Sequence, residues 1–585
     1  MLCVTALSAR PSGKLKASLQ STVDHQALVG DLVQWTASTE DENSSSMRFR
    51  FTVMQEDGSG HYESIRDFGP NPDFYWLPAE REGQFLVEMT ATNTQTGDTV
   101  FVIDHLEVLP RVRGPQSLIT SMDRSNLFLF SAAACAQGSR MKISFQPTTA
   151  ASLPQQATGY KECNGATTMN FYLAGLLPNT EYAANTVVED SAAVAVPGPA
   201  ITFLSSEAVD VPEHRTVTRS PLPNSTQPLL LASNGYATDL NGTMLWSGAA
   251  PVTLITRPES GGYFWGVVED PGADISRQGI RKFDLAGIVV RETNAEQINH
   301  QLRALGKRTI SSFHHEVGPL ADGRIVALAA VEQIVTDKQG AGDVNVIGDM
   351  ILVLDRNLAV LWAWDTFDWL DINRAAVLGE TCEAYQGGCP PFYLTSVAND
   401  WTHGNSVQPT PDGNLIYSSR HQDWLIKIAY EGGEGDGHVM WKLGRNGDFA
   451  MDSKDPWPWF SHQHDGNFDS GNPAELLVFD NGNTRWSETG EAESRGQVIE
   501  LDEVNHVARL KLNADLGVLA AAVGSAQRLT NGNYHFEAGY VIQPNSSLAA
   551  YAIEVDRAGR KLYEMEARGL VYRSFRMTDL YTAPH

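Results

Sequence analysis

Ala321-Asp322-Gly323-Arg324-Ile325-Val326-Ala327-Leu328 sets a turn glycine before an alternating strand, and the same design returns as Pro411-Asp412-Gly413-Asn414-Leu415-Ile416-Tyr417-Ser418 and as Thr530-Asn531-Gly532-Asn533-Tyr534-His535-Phe536. A second element also recurs, in which a strand ends on Asp, turns, and restarts toward an aromatic residue. It reads Asp239-Leu240-Asn241-Gly242-Thr243-Met244-Leu245-Trp246, then Leu354-Asp355-Arg356-Asn357-Leu358-Ala359-Val360-Leu361-Trp362, then Val555-Asp556-Arg557-Ala558-Gly559-Arg560-Lys561-Leu562-Tyr563. Two hairpin types in fixed order, about every 40 to 60 residues over roughly 360 residues, predict four-stranded blades, six in number. A single large sandwich would not explain that order, so residues 229–585 are expected to form a six-bladed β-propeller.

Upstream the style changes. From 15 to 110, alternating segments such as Asp31-Leu32-Val33-Gln34-Trp35-Thr36 are separated by Gly, Asn, Asp and Pro clusters, which predicts an Ig-like β-sandwich. From 111 to 210 the pattern repeats and holds Leu176-Leu177-Pro178-Asn179-Thr180-Glu181-Tyr182. That heptad resembles the corner of fibronectin type III domains, where a tyrosine hydroxyl pins the turn, and it predicts a second sandwich. Residues 211–228, rich in Pro, Ser and Thr, read as a linker, and 1–14 as a tail or the remnant of a signal segment. The fold class is all-β.

A chain of 585 residues with 42% hydrophobic and 19% charged residues is globular and needs more than one core. Its net charge of −27 argues against binding nucleic acid or an anionic membrane surface. No apolar run approaches the roughly 20 residues of a membrane span. Cys135 with Cys163, and Cys382 with Cys389, are spaced for two short-range disulfides with Cys3 left over. Such pairing suits a periplasmic or secreted protein.

Three histidine-bearing segments sit at equivalent points of the repeat: Phe313-His314-His315-Glu316, Asp400-Trp401-Thr402-His403-Gly404-Asn405-Ser406 and Ser461-His462-Gln463-His464-Asp465. His315 precedes Gly323 by eight residues and Asn405 precedes Gly413 by eight, with His403 two further back on the same alternating face. Regular alternation would aim these groups into one axial channel and turn His314 to the opposite side, unless a bulge reverses the choice. His464 lies seven before Gly471, one residue out of register. Arg420, within Ser418-Ser419-Arg420-His421-Gln422, would add a permanent fork of donors suited to an oxyanion. Such a set could ligate a metal, although those sites usually add carboxylate or thiolate ligands, or it could run nucleophilic catalysis by a neutral imidazole. Trp457, Trp459 and Phe460 could stack on an aromatic ring or build a rigid loop with Pro456 and Pro458.

At these residues the sequence resembles the bacterial arylsulfate sulfotransferases, which do not use the nucleotide sulfate donor. The resemblance rests on Asp400 to Ser406 followed by Ser418 to Gln422, on the triplet at His314 and on Gln463-His464-Asp465. It implies a ping-pong transfer of a sulfuryl group from an aryl sulfate to a phenol, with His464 transiently sulfated. His315, His403 and Arg420 would act with it, Asn405, His314 and His421 would bind substrate, and neither metal nor other cofactor is expected. The expected partners are a small aryl sulfate donor and a phenolic acceptor. The extra sandwich departs from the family pattern; it could dimerise, bind carbohydrate or space the propeller from a surface. A propeller hydrolase and a noncatalytic binding module are the competing readings.

Overall fold

The computed structural model describes residues 15–584 apart from 41–43, 57–61, 80, 123–125, 150–152, 208–214, 221–224, 249–252, 269, 271–273, 385–388 and 470. The expected amino-terminal tail with Cys3, and parts of the expected linker, lie outside these residues. Its regular structure is nearly all strand, and no described helix is long and apolar enough to cross a membrane.

Both repeated sequence elements have a physical cause. Gly323, Gly413 and Gly532 share positive φ values of 83°, 84° and 84°, a conformation that penalises residues with a Cβ. Their N–H groups donate to the carbonyls three residues back, at 3.0, 3.0 and 2.8 Å, closing the same tight turn. In the other element the aspartate oxygen caps its own turn. Asp239 Oδ1 accepts from the Asn241 and Thr243 amides, Asp355 Oδ1 from Asn357 and Ala359, and Asp556 Oδ1 from Ala558 and Arg560, all at 2.8–2.9 Å.

Among the described residues beyond 214 the strands build six successive, mainly antiparallel units. Their first strands, among them Thr253–Glu259, Ser312–Pro319, Gly404–Pro409, His464–Asp469 and Ser525–Arg528, lie against one another in sequence order. The carboxy-terminal strand Ser574–Met577 pairs with Leu229–Ala232, so the end of the chain closes on this region's beginning. Part of the expected linker is not a linker. Arg215–Arg219 sets three consecutive β-branched residues between two arginines and pairs as an edge strand with Lys561–Arg568, because that sheet edge would otherwise present unpaired backbone groups.

Upstream, Val33–Thr39 buries Val33, Trp35 and Ala37 on one face, as a period of two requires. Trp35 is fully buried and its indole N–H donates to Asp104 at 2.8 Å. In the following sheets the Leu177 amide donates to the Tyr182 hydroxyl at 2.9 Å. Cys135 is bonded to Cys163, and Cys382 to Cys389. One continuous apolar core runs from Leu19 through Leu129 and Leu229 to Tyr581, whose hydroxyl accepts from the Ala174 amide at 2.8 Å and donates to Tyr172 O at 3.0 Å. The amino-terminal sheets are therefore packed onto the repeated region and not merely tethered to it.

Candidate active site

The first strands of three neighbouring units are each interrupted at their histidines. Pairing slips between Phe313 and Val317, between Gly404 and Ser406, and between His464 and Asn467. Beside these slips His315, His403, His462 and Asp465 adopt left-handed φ values of 57°, 44°, 51° and 52°. Such conformations cost on the order of 1 kcal/mol or more each and persist only where surrounding structure imposes them. The expectation of regular alternation is therefore corrected. His314 and His315 do not point to opposite faces: their Nδ1 atoms are 2.8 Å apart, one donating to the other, because the bulge turns both rings to the same side.

From there the imidazoles form a chain. Ring centroids lie 5.0 Å apart for His315 and His403, 4.5 Å for His403 and His421, and 5.6 Å for His421 and His462. Tyr572 packs on His315 at 5.6 Å. Each ring is anchored differently. His314 Nε2 lies 3.0 Å from Asp349, which also accepts from the Gly404 amide at 2.8 Å and the Tyr417 hydroxyl at 2.6 Å. His403 Nδ1 lies 2.6 Å from Asp400 Oδ2. His421 Nδ1 donates to the Asp400 carbonyl at 2.7 Å, while its Nε2 accepts from Arg420. His462 sits between Asp423, at 2.9 Å, and Glu380. Buried His464 presents Nδ1 to Asn481 Oδ1 at 2.7 Å.

These surroundings set the charge states. Burial pushes His315 well below the usual imidazole value, and His314, His403, His464 and Arg573 push it further. Burial, then Arg420, does the same to His464 despite the Asn481 bond. His421 is likewise depressed by burial and by His403, Arg420 and His462. His462 goes the other way: burial opposes its charge, but Asp423 and Glu380 raise its pKa. Neutral His315, His421 and His464 thus share the site with His462, whose charged form is favoured, and with the Arg420 guanidinium.

Below the rings lies a sealed charge network. Arg257 is bidentate to Glu316, at 3.0 and 2.9 Å, and reaches Asp465 at 2.5 Å. Fully buried Arg573 lies 3.0 Å from Glu316 and 3.9 Å from Asp465, and donates to the Asn405 carbonyl at 2.6 Å. Burial alone would loosen the Arg257 proton, yet Asp465 and Glu316 hold it above the ordinary arginine value. Asn405, fully buried, donates its side-chain amide to Gln463 O at 2.7 Å and leaves its Oδ1 unpaired.

Of the residues singled out in the sequence, His314, His315, His403, His421 and Arg420 are in direct succession, and His464 lies close enough to act electrostatically on His315. Two triads, Glu380-His421-His462 and Asp400-His403-His421, bring ligand-type atoms within 4.8 Å of one another. They share His421, whose two nitrogens are already committed to a carbonyl and to a guanidinium cation, so the donor set suits a metal ion poorly. Of the expected aromatic platform, Phe460 is core, and the Arg445 guanidinium covers Trp457 at 4.6 Å. Glu316, Asp465 and Asp400 could have been found as the acidic neighbours of the histidines. Arg257, Glu380, Asp423, Asn481 and Arg573 carry no local signal.

A nearly all-β chain that gathers neutral imidazoles beside buried guanidinium groups is built to handle an anionic group. The family model of arylsulfotransferase (ASST) matches residues 217–573, and the chain belongs to that family. No curated protein matches the chain. Among solved structures, the FN1-FN3 domains of chicken CNTN1 are 13% identical over 32% of this chain and 66% of that one, just under two thirds of its length, with a TM-score of 0.14.

Proposed function

We propose that the protein transfers a sulfuryl group from an aryl sulfate to a phenol by a ping-pong reaction through sulfated His464, without the nucleotide sulfate donor. The observation that carries this reading is the neutral, buried His464 beside Arg420, His403 and Arg573, with one ring nitrogen committed to Asn481. In the first half-reaction the Nε2 lone pair attacks sulfur and the S–O bond to the aryl group breaks. The phenolate leaves with that electron pair and takes a proton from water. In the second, the acceptor phenol gives its proton to His403, its oxygen attacks sulfur, and the N–S pair returns to Nε2.

Sulfuryl transfer resembles phosphoryl transfer in spreading charge over three equatorial oxygens, so fixed donors do most of the work. Arg420 and the Asn405 amide are the proposed donors, with His315 and His314 flanking them. Each well-placed donor contributes on the order of 3 to 4 kcal/mol to the transition state. Asp400 would steady the imidazolium that forms on His403.

The same reading assigns the six units to six blades of a propeller over 229–585, preceded by Ig-like and fibronectin-like sandwiches at 15–110 and 111–210. Neighbouring first strands and the closure of Ser574–Met577 onto Leu229–Ala232 support it. Two disulfides are compatible with a periplasmic or secreted location. The test is p-nitrophenyl sulfate with and without a phenol acceptor. A stoichiometric burst of p-nitrophenol and a sulfated phenol product support the reading. Release of sulfate at a rate indifferent to the phenol would replace transferase by hydrolase.

A further inference from the structure

We propose that Asn481 is the positioning residue that holds His464 in the one tautomer whose Nε2 lone pair is free; this rests on His464 being the sulfuryl carrier. The argument starts from the Asn481 amide, whose orientation is fixed by chemistry. Its Nδ2 donates to Ala520 O at 2.8 Å and to Val523 O at 3.0 Å, and backbone carbonyls only accept. Reversing the amide would set Oδ1 against two carbonyl oxygens. Oδ1 must therefore face His464 Nδ1, 2.7 Å away, and can only accept, so Nδ1 bears the proton. Asn481 is fully buried, and no hydrogen bond reaches Nε2 among the described residues.

The clamp is itself locked. Ser494 Oγ donates to Asn481 O at 2.9 Å and accepts from the Ala520 amide at 2.9 Å. Between the two gripping carbonyls, Ala521 O accepts from Arg420 at 3.1 Å and from Asn483 at 2.9 Å. One backbone segment, 520–523, thus fixes both the tautomer of His464 and the position of Arg420.

The choice of a neutral amide has a chemical reason, seen by comparing three imidazoles of the same cluster. His462 contacts two carboxylates, His403 contacts one, and His464 an amide. Two carboxylates favour the imidazolium, and one can steady an imidazolium that forms during the reaction. An amide orders the ring without favouring the cation, which is what a nucleophile requires. The partner of Nδ1 thus sets His464, with its amide, apart from His403 and His462, whose Nδ1 atoms each meet a carboxylate.

The test uses the full chain labelled with 15N-histidine, in which long-range 1H–15N correlations report the tautomer of His464, assigned by the signal lost in His464→Asn. The wild type is expected to carry its proton on Nδ1. In Asn481→Ala, Nε2–H signal should appear and the burst rate should fall about 10- to 100-fold, with the donor KM changed far less. A wild-type proton on Nε2, or an Asn481→Ala protein that keeps the Nδ1–H tautomer, overturns the proposal. A wild type with the Nδ1–H tautomer but no burst overturns the covalent role of His464 and leaves the tautomer assignment standing.

Discussion

Asp400 Oδ2 lies 2.6 Å from His403 Nδ1, and the same residue's carbonyl accepts from His421 Nδ1 at 2.7 Å. One aspartate thus orients two adjacent rings, through its side chain and its backbone. Asp400→Asn keeps the size and an acceptor but removes the charge that steadies an imidazolium on His403. The second half-reaction should slow about 10- to 100-fold while the burst survives, as single-turnover and steady-state rates compared on one preparation will show.

His464→Asn should abolish transfer and the burst in a protein whose melting profile is unchanged. In the wild type, burial and Arg420 hold His464 well below the ordinary imidazole range, so its neutral form persists as pH falls. The burst rate should accordingly hold from pH 8 down through pH 6.5, with its acid limb below the value of a free imidazole, about 6.5. A limb at or above that value would show that burial does not control the nucleophile.

Arg573 shares Glu316 and Asp465 with Arg257; Arg573, Glu316 and Asp465 are buried and Arg257 is partly so. Arg573→Met leaves two carboxylates facing one guanidinium and should cost about 3 to 5 kcal/mol in urea unfolding. Arg573→Met combined with Glu316→Gln should recover part of that loss. Strict additivity of the two substitutions would show that the pair does not interact.

Glu537, Ser574 and His535 form a sealed chain in which the Ser574 hydroxyl bridges the carboxyl group and His535 Nε2. Burial raises Glu537 to about 8 and lowers His535 to about 3. The folded protein therefore holds a Glu537 proton that the unfolded chain releases. That contribution is complete below pH 4.5 and is lost as pH rises to about 8, a change on the order of 3 to 5 kcal/mol. Glu537→Gln should flatten the alkaline fall in a series of thermal melts. Its acid-side loss should remain, because neutral His535 still disfavours folding as pH falls from 6.5 toward 3.

The local elements were legible because their causes are local. A glycine at φ near 84° and an aspartate capping its own turn need only their immediate neighbours, and both repeat visibly along the chain. The histidine segments stood out for the same reason. Their orientation was not legible. Period-two alternation separates His314 from His315, whereas a bulge with a left-handed His315 brings them to 2.8 Å. Bulges answer to the packing of neighbouring strands and leave little trace in composition.

By itself, then, the sequence determined an all-β chain, its repeated turns and the residue types available for chemistry. Only the tertiary structure decided which partners each imidazole meets. His403, His462 and His464 are the same side chain, and nothing nearby in sequence ranks them. Asp400 lies three residues from His403, but Asp423 and Glu380 lie 39 and 82 residues from His462, and Asn481 lies 17 from His464. Proton affinity depends on burial and on such partners, and the fold supplies both.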